Sequence, residues 1–253
     1  MIILGKVTPD ESNLIRRIAT IVMVYHYFFG WSNRIFIPDA FNAIQVHGVM
    51  NYCLGRCMGD KMNSKFAREY LKYTGQEYQG SFKNIIKVRT SHTLTFLYYG
   101  RCMEFTTSKL LKKYYRIRCK LIGTKFGNEI PSFDRIDEGL MLCHGYGITV
   151  NENAILGRDV TLFKGCTVGG VRSGKKAGAP IIGNRVVLCC NSTVVGNVVI
   201  GDDVMIAPGA YVNFDVPSDS VVVGNPGVIH HKEHAADDYF TTFATKSECG
   251  LNI

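Results

Sequence analysis

The chain has 253 residues, 46% of them hydrophobic, which is material for a sizeable core in one large domain or two modest ones. Its formal charge of +8 admits anionic partners without naming one. Nine cysteines, an odd number at irregular spacings, read as reduced thiols of a cytoplasmic protein and not as a disulfide framework.

Residues 1 to 125 read as a helical domain. "TPDE" at 8 to 11 is a capping box, with Thr8 as cap, Pro9 at the first helical position and Glu11 three residues past the cap. Leu14, Ile15, Ile18, Ile21 and Val22 follow as a helical stripe. Asp10 and Glu11 precede the apolar run and no small-residue cleavage site follows it, so the N-terminus is not read as a signal peptide. The run from Ile18 to Trp31 contains His26 and falls short of the about 20 apolar residues a spanning helix needs. Two helices are expected over 39–58 and 63–75, and a last helical region over 81–119 with a break near Gly100. Cys53 and Cys57 have a spacing seen in zinc ligands, but no second Cys or His pair completes a finger. The helical region ends in "SKLLKKYYRIRCK", with six Lys or Arg between Lys109 and Lys120. This is either a solvated face or a patch for an anionic lipid surface at the inner face of a membrane, with Tyr114 and Tyr115 at the boundary. No nucleic-acid-binding motif accompanies the charge.

From Ile130 the period changes to six. Aliphatic residues recur at Ile130, Ile136, Leu142 and Ile148, resume after a shift of two at Leu156, Leu162 and Val168, and continue past a loop at Ile182, Leu188, Val194, Ile200, Ile206 and Val212. A second series of mostly small or β-branched residues follows four positions later, from Val160 and Cys166 to Ala210 and Val216. No α-helix has this period with so many glycines. A β-solenoid does, with one strand and turn per hexad and three hexads per triangular coil. The expected fold is α+β: helices, then a parallel β-helix over 126–230, then a tail over 231–253.

The segments "GLMLCHGYGITVNENAILGRDVTLFKGCTVGG" from 139, "GKKAGAPIIGNRVVL" from 174 and "GDDVMIAPGAYVNFDVPSDSVVVGNPGVI" from 201 resemble the hexapeptide-repeat acyltransferases, and within them the serine acetyltransferase-like group. The resemblance implies a left-handed β-helix, acetyl transfer from acetyl-CoA to an alcohol, no metal, and a trimer with active sites between neighbouring solenoids; the helical half could join trimers into a hexamer. Two positions depart from the serine-specific pattern. Cys143 stands where those members carry Asp before the catalytic His, and Glu129 stands where they carry the carboxylate that pairs with it. Together with the "EIP" run at 129, Cys143 points to a sugar hydroxyl of a bacterial surface glycan as acceptor, with serine as the alternative.

An alcohol attacks a thioester only if a base removes its proton as the bond forms, and neutral imidazole suits that task. His144, flanked by Cys143 and Gly145, is the sole histidine between Ile130 and Ile229 and the candidate base. A zinc site of three imidazoles is excluded within the repeats on that count. Glu129 is the candidate partner that would fix the imidazole tautomer, with Asp134, Asp137 and Glu138 as alternatives. Gly169 and Gly170 would let the pantetheine arm approach, and Arg172, Lys175 and Lys176 in the same loop would meet the phosphates of CoA. The resemblance places Cys190, Pro208 and Lys232 on the donor side as well, and Cys143 on the acceptor side. An acyl-cysteine intermediate is not expected, since direct transfer needs none.

Overall fold

A computed structural model describes residues 60–239. The expected capping box at 8–11, the helix at 39–58 and the Cys53/Cys57 pair lie outside the described residues. Four described helices precede the coil: α1 (Asp60–Thr74), α2 (Phe82–Thr90), α3 (His92–Phe105) and α4 (Lys109–Phe126). Serines start the last three. Ser81, Ser91 and Ser108 each accept a hydrogen bond from the amide of the third residue beyond them, which satisfies a donor the helix leaves open. The helical region therefore breaks at Ser91 and between Phe105 and Lys109, not at Gly100, and it runs past Cys119 to Phe126. Gly100 lies inside α3 because a Cβ there would strike the Phe133 ring. Tyr115 is 2% exposed and faces the core, so it cannot mark a lipid boundary; Tyr114 packs against it and Tyr99.

Beyond α4 the chain winds into a parallel β-helix with three faces. The first stacks β1 (Met141–Cys143), β4 (Thr161–Phe163), β7 (Val187–Leu188), β10 (Val204–Ile206) and β12 (Ser220–Val223), and β13 (Val228–His231) extends it antiparallel. The second stacks β2 (Thr149–Val150), β5 (Thr167–Gly169), β8 (Thr193–Val195) and β11 (Tyr211–Val212). The third stacks β3 (Ile155–Leu156), β6 (Ile181–Ile182) and β9 (Val199–Ile200). The aliphatic positions of the six-residue period point inward and are buried from Ile130 to Val212, and so are Val160, Cys166, Val186, Ser192, Val198, Val204, Ala210 and Val216 of the second series.

One assignment shifts. Leu142 pairs with Leu162, twenty positions on, whereas Val150 pairs with Val168, only eighteen on. The two extra residues of this tier thus lie between Leu142 and Thr149. Val150, not Ile148, is the partner of Val168. The other interruption is larger: Leu156 pairs with Ile182, twenty-six positions on. Its extra residues form a small hairpin, with Val171 and Gly178 exchanging backbone hydrogen bonds, and Lys176 O accepts from the Asn197 amide.

The helices join the coil through a buried ion cluster. Arg101 is fully buried; it pairs with Glu69 at 2.5 Å and Glu104 at 2.7 Å and donates to the carbonyls of Ile136 and Asp137. Arg68 of α1 meets Asp159, and Lys72 donates to Gly139 O at 2.7 Å. The helices from Lys61 onward and the β-helix form one compact unit, although the sequence period changes near residue 126. Nor are residues 232–239 simply a solvated tail. Ala235 and Ala236 are buried, Asp237 pairs with Arg185, and Tyr239 packs on Phe163 and Cys189 across the first face.

Candidate active site

The two extra residues make a bulge in the turn from β1 to β2. Along this corner, Gly147 N donates to Phe126 O, Gly165 N to Tyr146 O, Asn191 N to Lys164 O and Gly209 N to Cys190 O. Tyr146 thus stacks over Lys164 while Cys143 pairs with Phe163, which leaves His144 and Gly145 as the insertion. His144 sits there at φ 51°, a left-handed conformation that costs a non-glycine residue energy and persists because its surroundings hold it. Its side chain is exposed.

Three groups from the helical region hold the bulge. Gly127 ends α4 in a left-handed conformation at φ 69°, and this swing delivers Asn128 to the coil. The buried Asn128 donates to Gly145 O at 2.8 Å and accepts from Ile148 N at 3.0 Å. One amide side chain thus satisfies the backbone on both sides of the insertion. Tyr73 of α1 accepts from Leu142 N at 2.7 Å and donates back to Leu142 O. Thr93 of α3 closes on Gly145, where a Cβ would come within 3.1 Å of its hydroxyl. Sequence reasoning gave none of these three a role. It also passed over His92, whose ring stacks on Phe126 at 4.0 Å and lies 5.1 Å from Tyr146. Burial lowers the pKa of His92, the Lys125 charge adds to this, and its Nε2 atom is buried without a hydrogen-bond partner.

Glu129 flanks the same bulge: its amide donates to Ile148 O and its carbonyl accepts from Val150 N. Its side chain is exposed, and no hydrogen bond joins it to His144. The alternative carboxylates are engaged elsewhere. Asp134 accepts from Ser132, Asp137 accepts from the Glu138 amide, and Glu138 lies 3.8 Å from Arg68. Cys143 is half-buried. Burial pushes its thiol up, and the neighbouring Cys190 thiol adds to the shift, so it is uncharged at neutral pH.

The expected donor-side residues are only partly brought to His144 within one chain. Cys190 and Pro208 share its corner. Gly169 ends β5, and Gly170 and the exposed Lys175 lie in the hairpin at the next corner. A Cβ on Gly170 would meet Asn151 Nδ2 at 2.7 Å, so this glycine serves the contact between tiers. Lys232 lies at the third corner, where its amide donates to Asp219 O. At that corner Asp203, His234 and Asp237 come within metal-ligating reach of one another, but Arg185 pairs with both carboxylates.

Residues 179–213 match the family of the bacterial transferase hexapeptide (six repeats). The chain is 43% identical over 107 residues to serine acetyltransferase 2 of Arabidopsis thaliana, covering 42% of this chain and 32% of that protein. It is 39% identical over 99 residues to the serine acetyltransferase of Helicobacter pylori, covering 39% of this chain and 58% of that protein. The chain spans between a third and three fifths of the length of these curated relatives. Among solved structures it resembles the serine acetyltransferase of Brucella abortus, with a TM-score of 0.60 and 18% identity over 90% of this chain and 100% of that one. A soybean serine acetyltransferase complexed with serine gives a TM-score of 0.58 and 19% identity over 87% and 95% of the two chains. The fold is therefore a helical region followed by a left-handed parallel β-helix of hexapeptide repeats, and the resemblance drawn from the motifs is borne out. The relatives' names point to serine and lend no support to the sugar hydroxyl expected from Cys143.

Because Asn128 is buried and holds both sides of the bulge, Asn128→Ala should destabilise the protein by about 1–3 kcal/mol, the cost of stranding buried partners. Hydrogen exchange should show selective loss of protection at the Ile148 amide. Unchanged protection there would mean that Asn128 does not hold the turn.

Proposed function

We propose that the chain is an acetyl-CoA-dependent O-acetyltransferase that acetylates the hydroxyl of serine, with His144 as general base. The bulge carries this reading: an exposed imidazole on a two-residue insertion, fixed from behind by Asn128, Tyr73 and Thr93. Imidazole takes the hydroxyl proton as the oxygen attacks the thioester carbonyl, and the charge that develops on the carbonyl oxygen needs hydrogen-bond donors, which turn amides supply. Glu129 is the carboxylate left free to orient the imidazole, since the three alternatives are held by other groups. We place the acyl donor along the corner of Cys190 and Pro208, because it runs on from the His144 bulge. His144→Ala should lower acetyl transfer from acetyl-CoA by about 100-fold or more while acetyl-CoA binding persists. Near-normal turnover by this variant would remove His144 from the base role.

The acceptor is tested at Cys143. Serine carries an ammonium group, and a neutral thiol offers it no counter-charge. A charge-assisted hydrogen bond is roughly twice as strong as a neutral one. With serine as substrate, Cys143→Asp should raise kcat/KM by about tenfold. A wild-type protein that leaves serine untouched while acetylating a glycan would overturn the serine reading and restore the sugar hydroxyl.

The proposed assembly is a trimer. Ile155, Ile181 and Val199 form one outward ladder on the third face, paired in register and 39%, 40% and 49% exposed. Such an apolar stripe on a stack of parallel strands favours burial against another copy. A trimer would also bring the corner of one copy to the His144 edge of the next, uniting groups that a single chain keeps apart. Light scattering on an Ile181→Lys/Val199→Lys variant should show a shift from trimer to monomer. A trimer that persists would place the interface on another face.

A further inference from the structure

We propose that α4 rests its outer face on an anionic lipid surface. The helix carries seven Lys or Arg and no Asp or Glu across its 18 residues. Tyr115, Cys119 and Gly123 form its buried side. At about 100° per residue, Leu110, Ile117 and Leu121 fall within about 40° of one another on the opposite side. Leu110 and Leu121 are 66% and 61% exposed, the two most exposed large hydrophobic side chains among the described residues. Lys109, Lys113, Arg116 and Lys120 line one flank of this ridge, and Arg118 and Lys125 lie toward the other. No ion pair engages Lys109, Lys113, Arg116 or Lys120 among the described residues. Arg118 and Lys125 lie over the rings of Tyr99 and Phe126.

An apolar ridge flanked by cations is the arrangement of a helix lying in a membrane interface. The leucines enter the acyl boundary and the long basic side chains reach the headgroups. Of the tyrosines expected at the boundary, Tyr115 lies on the buried side, and Tyr114 falls at the edge of the ridge beside Leu121, packed against Tyr99. No described helix is long and apolar enough to cross a membrane, so the contact is peripheral. Charge complementarity selects the occupant. A second copy of the same helix face would bring six cations against six. Nucleic acid matches the charge but offers no apolar phase for the leucines. Anionic lipid satisfies both. The inference does not depend on the identity of the acceptor.

The test is co-sedimentation of the full chain with phosphatidylcholine vesicles, with and without phosphatidylglycerol. Binding is expected only to the anionic vesicles and should weaken as salt rises. Lys113→Glu/Arg116→Glu/Lys120→Glu should lower partitioning by about 100-fold, from the worth of each basic residue near an anionic surface. Leu110→Asn/Leu121→Asn keeps every charge and should lower it by at least about tenfold through lost apolar burial. Both variants should unfold at the wild-type temperature and transfer acetyl to a soluble acceptor at the wild-type rate. Equal binding to both vesicle types by the unaltered protein would overturn the proposal. So would full vesicle binding by the leucine variant, or tighter binding of polyuridylate than of vesicles, since either result would make the face a plain polyanion site.

Discussion

The inward stack of aliphatic side chains governs where chemistry can enter this molecule. Each tier sets mostly Leu, Ile or Val over the same residues of the tier below, because a polar group inside the coil must find a backbone partner, as Ser192 does in Cys189 O. A catalytic group therefore has no place within a regular hexad. It enters where residues are added to the repeat or at a corner. The chain has two such additions, the bulge of His144 and Gly145 and the hairpin spanning Val171 to Gly178. The first carries an imidazole and the second carries cations. Apart from the corners, the rest of the coil is scaffold.

A bulge at the edge of a coil would be loose without support, and the helical region provides it. Arg101 ties α1 and α3 to the carbonyls of Ile136 and Asp137. Burying such a cluster gives little net stability, yet losing one partner strands the others, so the geometry is strongly enforced. With α1 and α3 fixed, Tyr73 and Thr93 reach Leu142 and Gly145. Asn128 completes the set from the end of α4. The helices are thus the positioning layer for His144, which explains why they and the coil share one compact unit.

The coil was legible because a six-residue period leaves a mark in every tier. The misplacement of the insertion has a plain cause: Ile148 and Val150 are both aliphatic and both buried, so the sequence reads smoothly in either phase. Only the pairing of Val150 with Val168 settles it. Gly100 misled for a different reason. Glycine inside a helical pattern suggests a break, but its reason here is Phe133, a contact across thirty-three positions. Tyr73 and Thr93 left no local signature, because their partners lie some fifty to seventy residues away. Asn128 left a faint one: glycine followed by asparagine after a helix rich in cations marks a left-handed stop. His144 was singled out by motif, while its left-handed backbone and its supports needed the structure.

The distribution of groups over the corners bears on how a convex rod can host a reaction. The His144 corner, the hairpin corner and the corner holding Lys232 face three directions. A convex edge does not exclude water, and electrostatic stabilisation of a developing oxyanion is strongest where water is excluded. In the proposed trimer a neighbouring copy would supply the missing wall. The apolar ladder of the third face would bring copies together, and the reacting groups would meet at the seam. The outer face of α4 points away from its own core, on the side opposite Tyr115, Cys119 and Gly123. The two surfaces are separable by charge: the ladder is uncharged and suits like meeting like, whereas the α4 ridge is flanked by cations that would repel a second copy, four of them without an ion pair among the described residues. Self-association and lipid contact therefore make different demands on the surface, and the sequence meets them on different elements.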